Sequence, residues 1–217
     1  MKKHVLFDLD GTLIDSAPSI LETFADILQA KGIQPVASLD SRIIGPPLRE
    51  VLELLLGAED SVLIQELSED FINRYDTHGY KRSVPYDGVE SMLGDLTSMN
   101  CRLYIVTNKR IAPTRRIIEH LGWACHFQDR LYSADAFEPR LASKAHAIDR
   151  VLSEHKIPKQ EAIYIGDRSE DQEAAVACSL DFIPVNWGYG VWIDAHQSKN
   201  LLSKPRDCAQ LISGNRN

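Results

Sequence analysis

Four short apolar runs recur along the chain with segments of helical period between them: HVLF at 4–7, RLYIVT at 102–107, AIYIG at 162–166 and DFIPV at 181–185. Each is rich in β-branched or aromatic residues and bounded by Asp, Asn or Gly, which is how strands read. DRLYSA at 129–134 is a weaker fifth. The helical period runs through APTRRIIEHLG at 112–122, which closes on Gly122, and through SKAHAIDRVLSEH at 143–155. Strands and helices alternating in this order predict an α/β fold, with a parallel sheet covered by helices on both faces.

The segment between the first two strands breaks that rhythm. From Asp15 to Tyr86 it is far longer than the dozen or so residues a crossover needs. SILETFADILQAKG places Ile20, Leu21, Phe24, Ile27 and Leu28 on one helical face, and LREVLELLLG and SVLIQELSEDFINRY keep the same period. The expectation is a helical cap domain at 15–86 inserted into a core made of 1–14 and 87–217. VPYDG marks the return, followed by a helical GVESMLGDLTSM, and the tail SGNRN is expected to fray.

Bulk properties narrow the partners. A formal net charge of −7 argues against a nucleic-acid surface, which calls for a basic stripe. The four cysteines, Cys101, Cys125, Cys178 and Cys208, lack any C-x-x-C spacing and point to reduced thiols. The seven histidines show no metal-ligand spacing and read as surface or structural groups. With no signal-peptide core and no apolar stretch of about 18 residues, a cytoplasmic protein with no membrane partner is expected. Monomer and homodimer both stay open.

Parallel sheets place their ligand crevice beyond the carboxyl ends of the strands. Here those ends carry Asp8 and Asp10 after the first strand, Thr107, Asn108 and Lys109 after the second, and Asp167 with Asp171 after AIYIG. Residues two apart in extended chain point the same way, so Asp8 and Asp10 share a side. Such crowding of carboxylates is costly without a cation, and an all-oxygen set suits Mg2+. Taken singly, DLDG is also a strand-ending turn and GDRSED a helix N-cap.

DLDGT, VTNK, Lys144 and GDRSED, in that order, resemble the four motifs of the haloacid dehalogenase-like hydrolase superfamily, and the resemblance spans the chain. It implies a Rossmann-like core and a phosphatase. By similarity Asp8 is the nucleophile that forms an aspartyl phosphate, Asp10 the general acid and later base, and Lys144 the cation beside them. Gly11 and Thr12 would let backbone N–H groups approach the phosphate closely, and Thr107 and Asn108 would bond its oxygens. The metal would be held by Asp8, the Asp10 main-chain carbonyl and Asp167, with Asp171 acting through a water. Lys144 lacks the Lys-Pro dipeptide of many relatives, and Arg140 lies close by. Lys109 is read as a solvated or rim charge, outside the core set. Asp15 is read as starting the cap by hinge or helix-capping chemistry.

IIGPPLREVL and NWGYG look like features of the phosphoglycolate phosphatase-like branch, which implies a small phosphorylated metabolite as substrate, with 2-phosphoglycolate leading. Arg49 is expected either to reach a substrate carboxylate or to pair with Glu53 on the surface. A nucleoside monophosphate or another sugar phosphate is the next substrate class. A phosphomutase and a non-catalytic binding module on the same fold are further alternatives. Dehalogenation leaves Asp10 and the acidic fourth motif without purpose. A phosphonatase would need a Schiff-base lysine, for which the cap offers Lys31 and Lys81.

Overall fold

The computed structural model describes residues 2–192 and 201–214. The chain divides into two compact units, one of residues 1–15 and 85–217, the other of residues 16–84.

The first unit is built on five parallel strands. They are β1 (His4–Phe7), β4 (Arg102–Thr107), β5 (Leu131–Ser133), β6 (Ala162–Gly166) and β7 (Asp181–Pro184), in the order β5-β4-β1-β6-β7. All five strands expected from the apolar runs are present, including the weakest. Two short strands, β2 (Ile14–Asp15) and β3 (Val84–Pro85), lie where the chain leaves and re-enters this unit. In the sheet, β1 is central, with Phe7 level with Ile105 on one side and Ile165 on the other. The residues that follow β1 therefore emerge between the carboxyl ends of β4 and β6.

Alternate side chains of the strands are buried on both faces. Leu6, Tyr104, Val106 and Tyr164 pack with Ala147, Ile148 and Val151 of α7 (Lys144–Glu154) and Ala174 and Ala175 of α8 (Ser169–Ala177). Val5, Phe7, Leu103, Ile105 and Ile165 on the intervening positions are equally closed to solvent. Each such side chain contributes about 1.5–3 kcal/mol through burial, which holds the strand ends in register. The remaining helices of this unit are α4 (Val89–Ser98), α5 (Ile111–His120), α6 (Ala124–Phe127) and α9 (Asp207–Ser213). Ser213 ends α9 and Gly214 caps it in the left-handed region, while 215–217, the rest of the tail expected to fray, lie outside the described residues.

The second unit has three helices, α1 (Ala17–Ala30), α2 (Leu48–Leu56) and α3 (Ser61–Thr77). Its core joins Ile20, Phe24, Ile27 and Leu28 to Val51, Leu52 and Leu55 and to Ile64, Leu67, Phe71 and Tyr75. Phe24 and Phe71 pack with ring centroids 4.5 Å apart. Leu21 lies at the edge of the buried face, half-exposed. Two buried hydroxyls the pattern did not foretell are satisfied within the unit, Ser19 donating to the Gly79 carbonyl and Thr23 to the Ser19 carbonyl. Ser16 stands at the N-cap position, and the Asp15 carboxylate accepts the Tyr189 hydroxyl at 2.9 Å.

Three of the four cysteines, Cys101, Cys178 and Cys208, are buried, Cys125 is exposed, and all four are free thiols. Among the described residues no helix is long and apolar enough to cross a membrane.

Candidate active site

Asp8 is the first residue beyond β1, and its N–H still donates to the Ile165 carbonyl at 3.0 Å, so the sheet ladder extends under it. The residue is 4% exposed. Asp167 and Asp171, both fully buried, bring carboxylate oxygens to within 4.8 Å of one another and of Asp8. Lys144 opens α7 and reaches into this cluster, with Nζ 2.6 Å from Asp171 Oδ1 and 3.2 Å from Asp8 Oδ1. A cation at a helix N-terminus works against the helix dipole, so the carboxylates are what hold it there.

Hydrogen bonding divides the three acids. Asp171 is well satisfied: Lys144 and the Tyr164 hydroxyl donate to Oδ1, and the Arg168 N–H donates to Oδ2 at 3.1 Å. Asp167 receives the Thr12 hydroxyl on Oδ1 at 3.1 Å, and the Tyr189 and Gly190 N–H groups on Oδ2 at 2.8 and 3.2 Å. By contrast, Asp8 Oδ1 is buried without a hydrogen-bond partner, with Lys144 Nζ 3.2 Å away as its ion pair. An orphaned carboxylate oxygen among two further carboxylates fits a hard divalent cation.

Electrostatics agree. Burial, reinforced by Asp171, Asp167 and Asp10 and opposed by Lys144, pushes the Asp8 carboxyl up to about 8. Burial and Asp171 also raise Asp167. Burial works against the Lys144 charge, yet Asp171 and Asp8 outweigh it and raise the ammonium above its ordinary value. A site that favours protons on its acids when metal-free favours a cation in their place.

Asp10 lies at the edge of this cluster, 8% exposed, and its partner is Lys109. Lys109 Nζ donates to Asp10 Oδ1 at 3.0 Å and Oδ2 at 3.2 Å, with its side chain only 7% exposed. Of the two expectations for Lys109, the solvated one is therefore wrong: the charge is buried against Asp10. Its pairing depends on the ends of β1 and β4 lying side by side, and the unmatched charge of Asp10 was the signal for it. Lys109→Met is expected to cost about 1–3 kcal/mol, the penalty for stranding a buried polar group, seen as a lower urea midpoint. Lys109→Arg should recover most of the loss, and an unchanged midpoint in Lys109→Met would show the pair to be energetically idle.

The loop after β1 is a tight turn. The Gly11 N–H donates to the Ile14 carbonyl at 2.9 Å and the Thr12 N–H to the Leu9 carbonyl at 3.3 Å, so both are used within the turn. Gly11 serves close approach. Its φ is +85°, and a Cβ there would lie 2.7 Å from Asp167 Cγ. Gly166 likewise leaves room for Asp171, whose Cγ would meet a Cβ at 2.5 Å. Thr107 is buried, and its hydroxyl oxygen accepts the Lys109 N–H at 3.2 Å, while Asn108 is half-buried. Arg49 shows the surface-pair alternative: Nε lies 2.8 Å from Glu53 Oε1 across one helical turn, with 61% of the arginine side chain exposed.

A family model for haloacid dehalogenase-like hydrolases matches residues 5–185, which takes in every one of these acids and Lys144. The chain belongs to that family. Among the relatives of this hydrolase is phosphoglycolate phosphatase from Xylella fastidiosa, 34% identical over 86% of the chain and 81% of the relative. Tyrosine-protein kinase PtkA from Mycobacterium tuberculosis is 32% identical over 86% of the chain, which spans only 62% of that relative's length. In structure the hydrolase is similar to a predicted phosphatase from Clostridium acetobutylicum, with a TM-score of 0.86, 26% identity and 99% of each chain covered.

The segment NWGYG gains a structural reason. Gly188 and Gly190 pass so close to the motif loops that a Cβ on Gly188 would lie 2.6 Å from Asp167 Oδ2, and one on Gly190 2.8 Å from the Asp167 carbonyl carbon. Two glycines flanking an aromatic residue were the sequence signal for that approach.

Proposed function

We propose that this hydrolase removes phosphate from a small phosphorylated metabolite through an aspartyl phosphate on Asp8, with 2-phosphoglycolate the leading substrate. The observation that carries the reading is the buried, donor-free Oδ1 of Asp8 beside Lys144. An Asp8 oxygen forms the bond to phosphorus as the bond to the leaving oxygen breaks, and Asp10 gives that alkoxide its proton. Asp10 then takes a proton from the water that hydrolyses the acyl phosphate, which returns Asp8 as carboxylate. Lys144 offsets the charge of Asp8 and of the transferring group.

Mg2+ is the proposed metal, held by Asp8, the Asp10 main-chain carbonyl and Asp167, with Asp171 behind them. When bound it supplies positive charge against the phosphoryl oxygens. Thr107 and Asn108 are the proposed side-chain phosphate donors. The helical unit of residues 16–84 is proposed as the cap that sets substrate choice.

Phosphate release from a panel of monoesters, with and without Mg2+, tests the reading. The expected result is Mg2+-dependent turnover with the highest kcat/KM on a small carboxylated or sugar phosphate. Phosphotransfer to protein tyrosine with no release from any monoester would overturn it and favour the activity in the mycobacterial relative's name. Asp10→Asn should still be labelled slowly at Asp8 by a reactive phosphomonoester, yet lose about 100-fold or more in turnover, within the range for removing a general acid–base group. Wild-type turnover in Asp10→Asn would remove that role.

A further inference from the structure

A closed ring of hydrogen bonds ties the two acidic loops together through the segment after β7. Tyr189 and Gly190 N–H groups donate to Asp167 Oδ2, the Trp187 indole N–H donates to the Thr12 carbonyl at 2.9 Å, and the Thr12 hydroxyl returns to Asp167 Oδ1. The Tyr189 hydroxyl adds a second arm to Asp15. Backbone pairing anchors the base of the segment, since the Val185 N–H donates to the Gly166 carbonyl and the Asn186 N–H to the Leu202 carbonyl. The close approach of Gly188 and Gly190 leaves the segment no room to shift against Asp167.

We infer that residues 187–190 form a clasp that sets the metal affinity of the centre, with Trp187 as its positioning residue. This rests on the reading of Asp8 and Asp167 as metal ligands. Asp167 is fully buried with its carboxylate close to those of Asp8 and Asp171, so an untethered side chain would turn away from these like charges. Three donors fix both its oxygens, and the ring couples that fixation to the loop carrying Asp8 and Asp10. Partners of this kind orient ligands before the ion arrives and strengthen binding without touching it.

Trp187→Phe keeps the aromatic body and removes only the indole donor. By titration calorimetry of the metal-free full chain, Mg2+ affinity is expected to fall about 10-fold or more, the range for loss of an outer partner. Trp192→Phe is the matched control, because the Trp192 indole also donates to a carbonyl, that of Val185 at 2.8 Å, but outside the ring. Its affinity should stay within about twofold of wild type at a comparable change in melting temperature. Thr12→Val removes the opposite side of the same ring, so the double variant Trp187→Phe, Thr12→Val should lose less than the product of the single losses. Equal affinities for wild type and Trp187→Phe, or equal losses in the Trp187 and Trp192 variants, would overturn the clasp. Wild-type protein that binds no Mg2+ would overturn the metal reading itself, and the clasp with it.

Discussion

Asp8→Asn is expected to abolish phosphate release, with a fall in kcat on the order of 10^4-fold or more, as loss of a covalent nucleophile produces in enzymes whose residues act as a unit. The amide fits the same space but cannot accept a phosphoryl group. Stability should move the other way. Asp8 is a buried carboxyl whose folded pKa lies well above its ordinary value, so its contribution is most favourable at low pH, where both states hold the proton. As pH rises from about 4 towards 8, the unfolded chain ionises its carboxyl while the folded protein retains the proton, and folding loses stability. Metal-free wild type should therefore show a urea midpoint that falls between pH 5 and 8. Asp8→Asn should flatten that slope, and Mg2+ should do the same by favouring the ionised folded state. A midpoint that does not depend on pH in metal-free wild type would show Asp8 to be already ionised, and turnover close to wild type in Asp8→Asn would remove it as the nucleophile.

Lys144→Met should have the largest effect on stability. The ammonium is the cation that Asp8 and Asp171 share, 10% exposed, and its removal leaves a buried cluster of carboxylates. Breaking a buried ion pair from one side costs about 3–5 kcal/mol, a large part of what a domain of this size has in reserve. The loss should be greatest above pH 8, where Asp8 is pressed to ionise, and should shrink towards pH 5 as Asp8 takes up a proton. Denaturation midpoints at the two pH values check this. Lys144→Arg is not expected to restore the wild type, because a planar fork cannot converge on two carboxylates as a compact ammonium does. A Lys144→Met protein as stable as wild type would mean that its carboxylates find other donors.

Much of this arrangement was legible in the chain because parallel-sheet physics is local. A β-branched run ended by a carboxylate announces both a strand and its ligand end, and β1, β4 and β6 deliver Asp8, Thr107 and Asp167 to neighbouring positions in register. Lys144 could be placed because it opens a helical period. What escaped depends on contacts between segments far apart in sequence. Lys109 reads as an ordinary surface lysine until β4 is set beside β1, and Tyr189 and Gly190 reach an aspartate more than 20 residues earlier. The bond from the Tyr189 hydroxyl to Asp15 escaped for the same reason, since it joins residues 174 positions apart. The N–H groups of Gly11 and Thr12 are used within the tight turn after β1, a local pairing that the residue types alone do not announce.

The centrality of β1 has a dynamic counterpart. Asp8 hangs from the strand hydrogen-bonded on both sides, and its own amide belongs to that ladder. Core strands exchange their amide hydrogens only when the whole cooperative unit opens. The Asp8 amide should accordingly be among the last to exchange, and warming should not first loosen the centre and then melt the protein. Heat inactivation and loss of the fold become a single event.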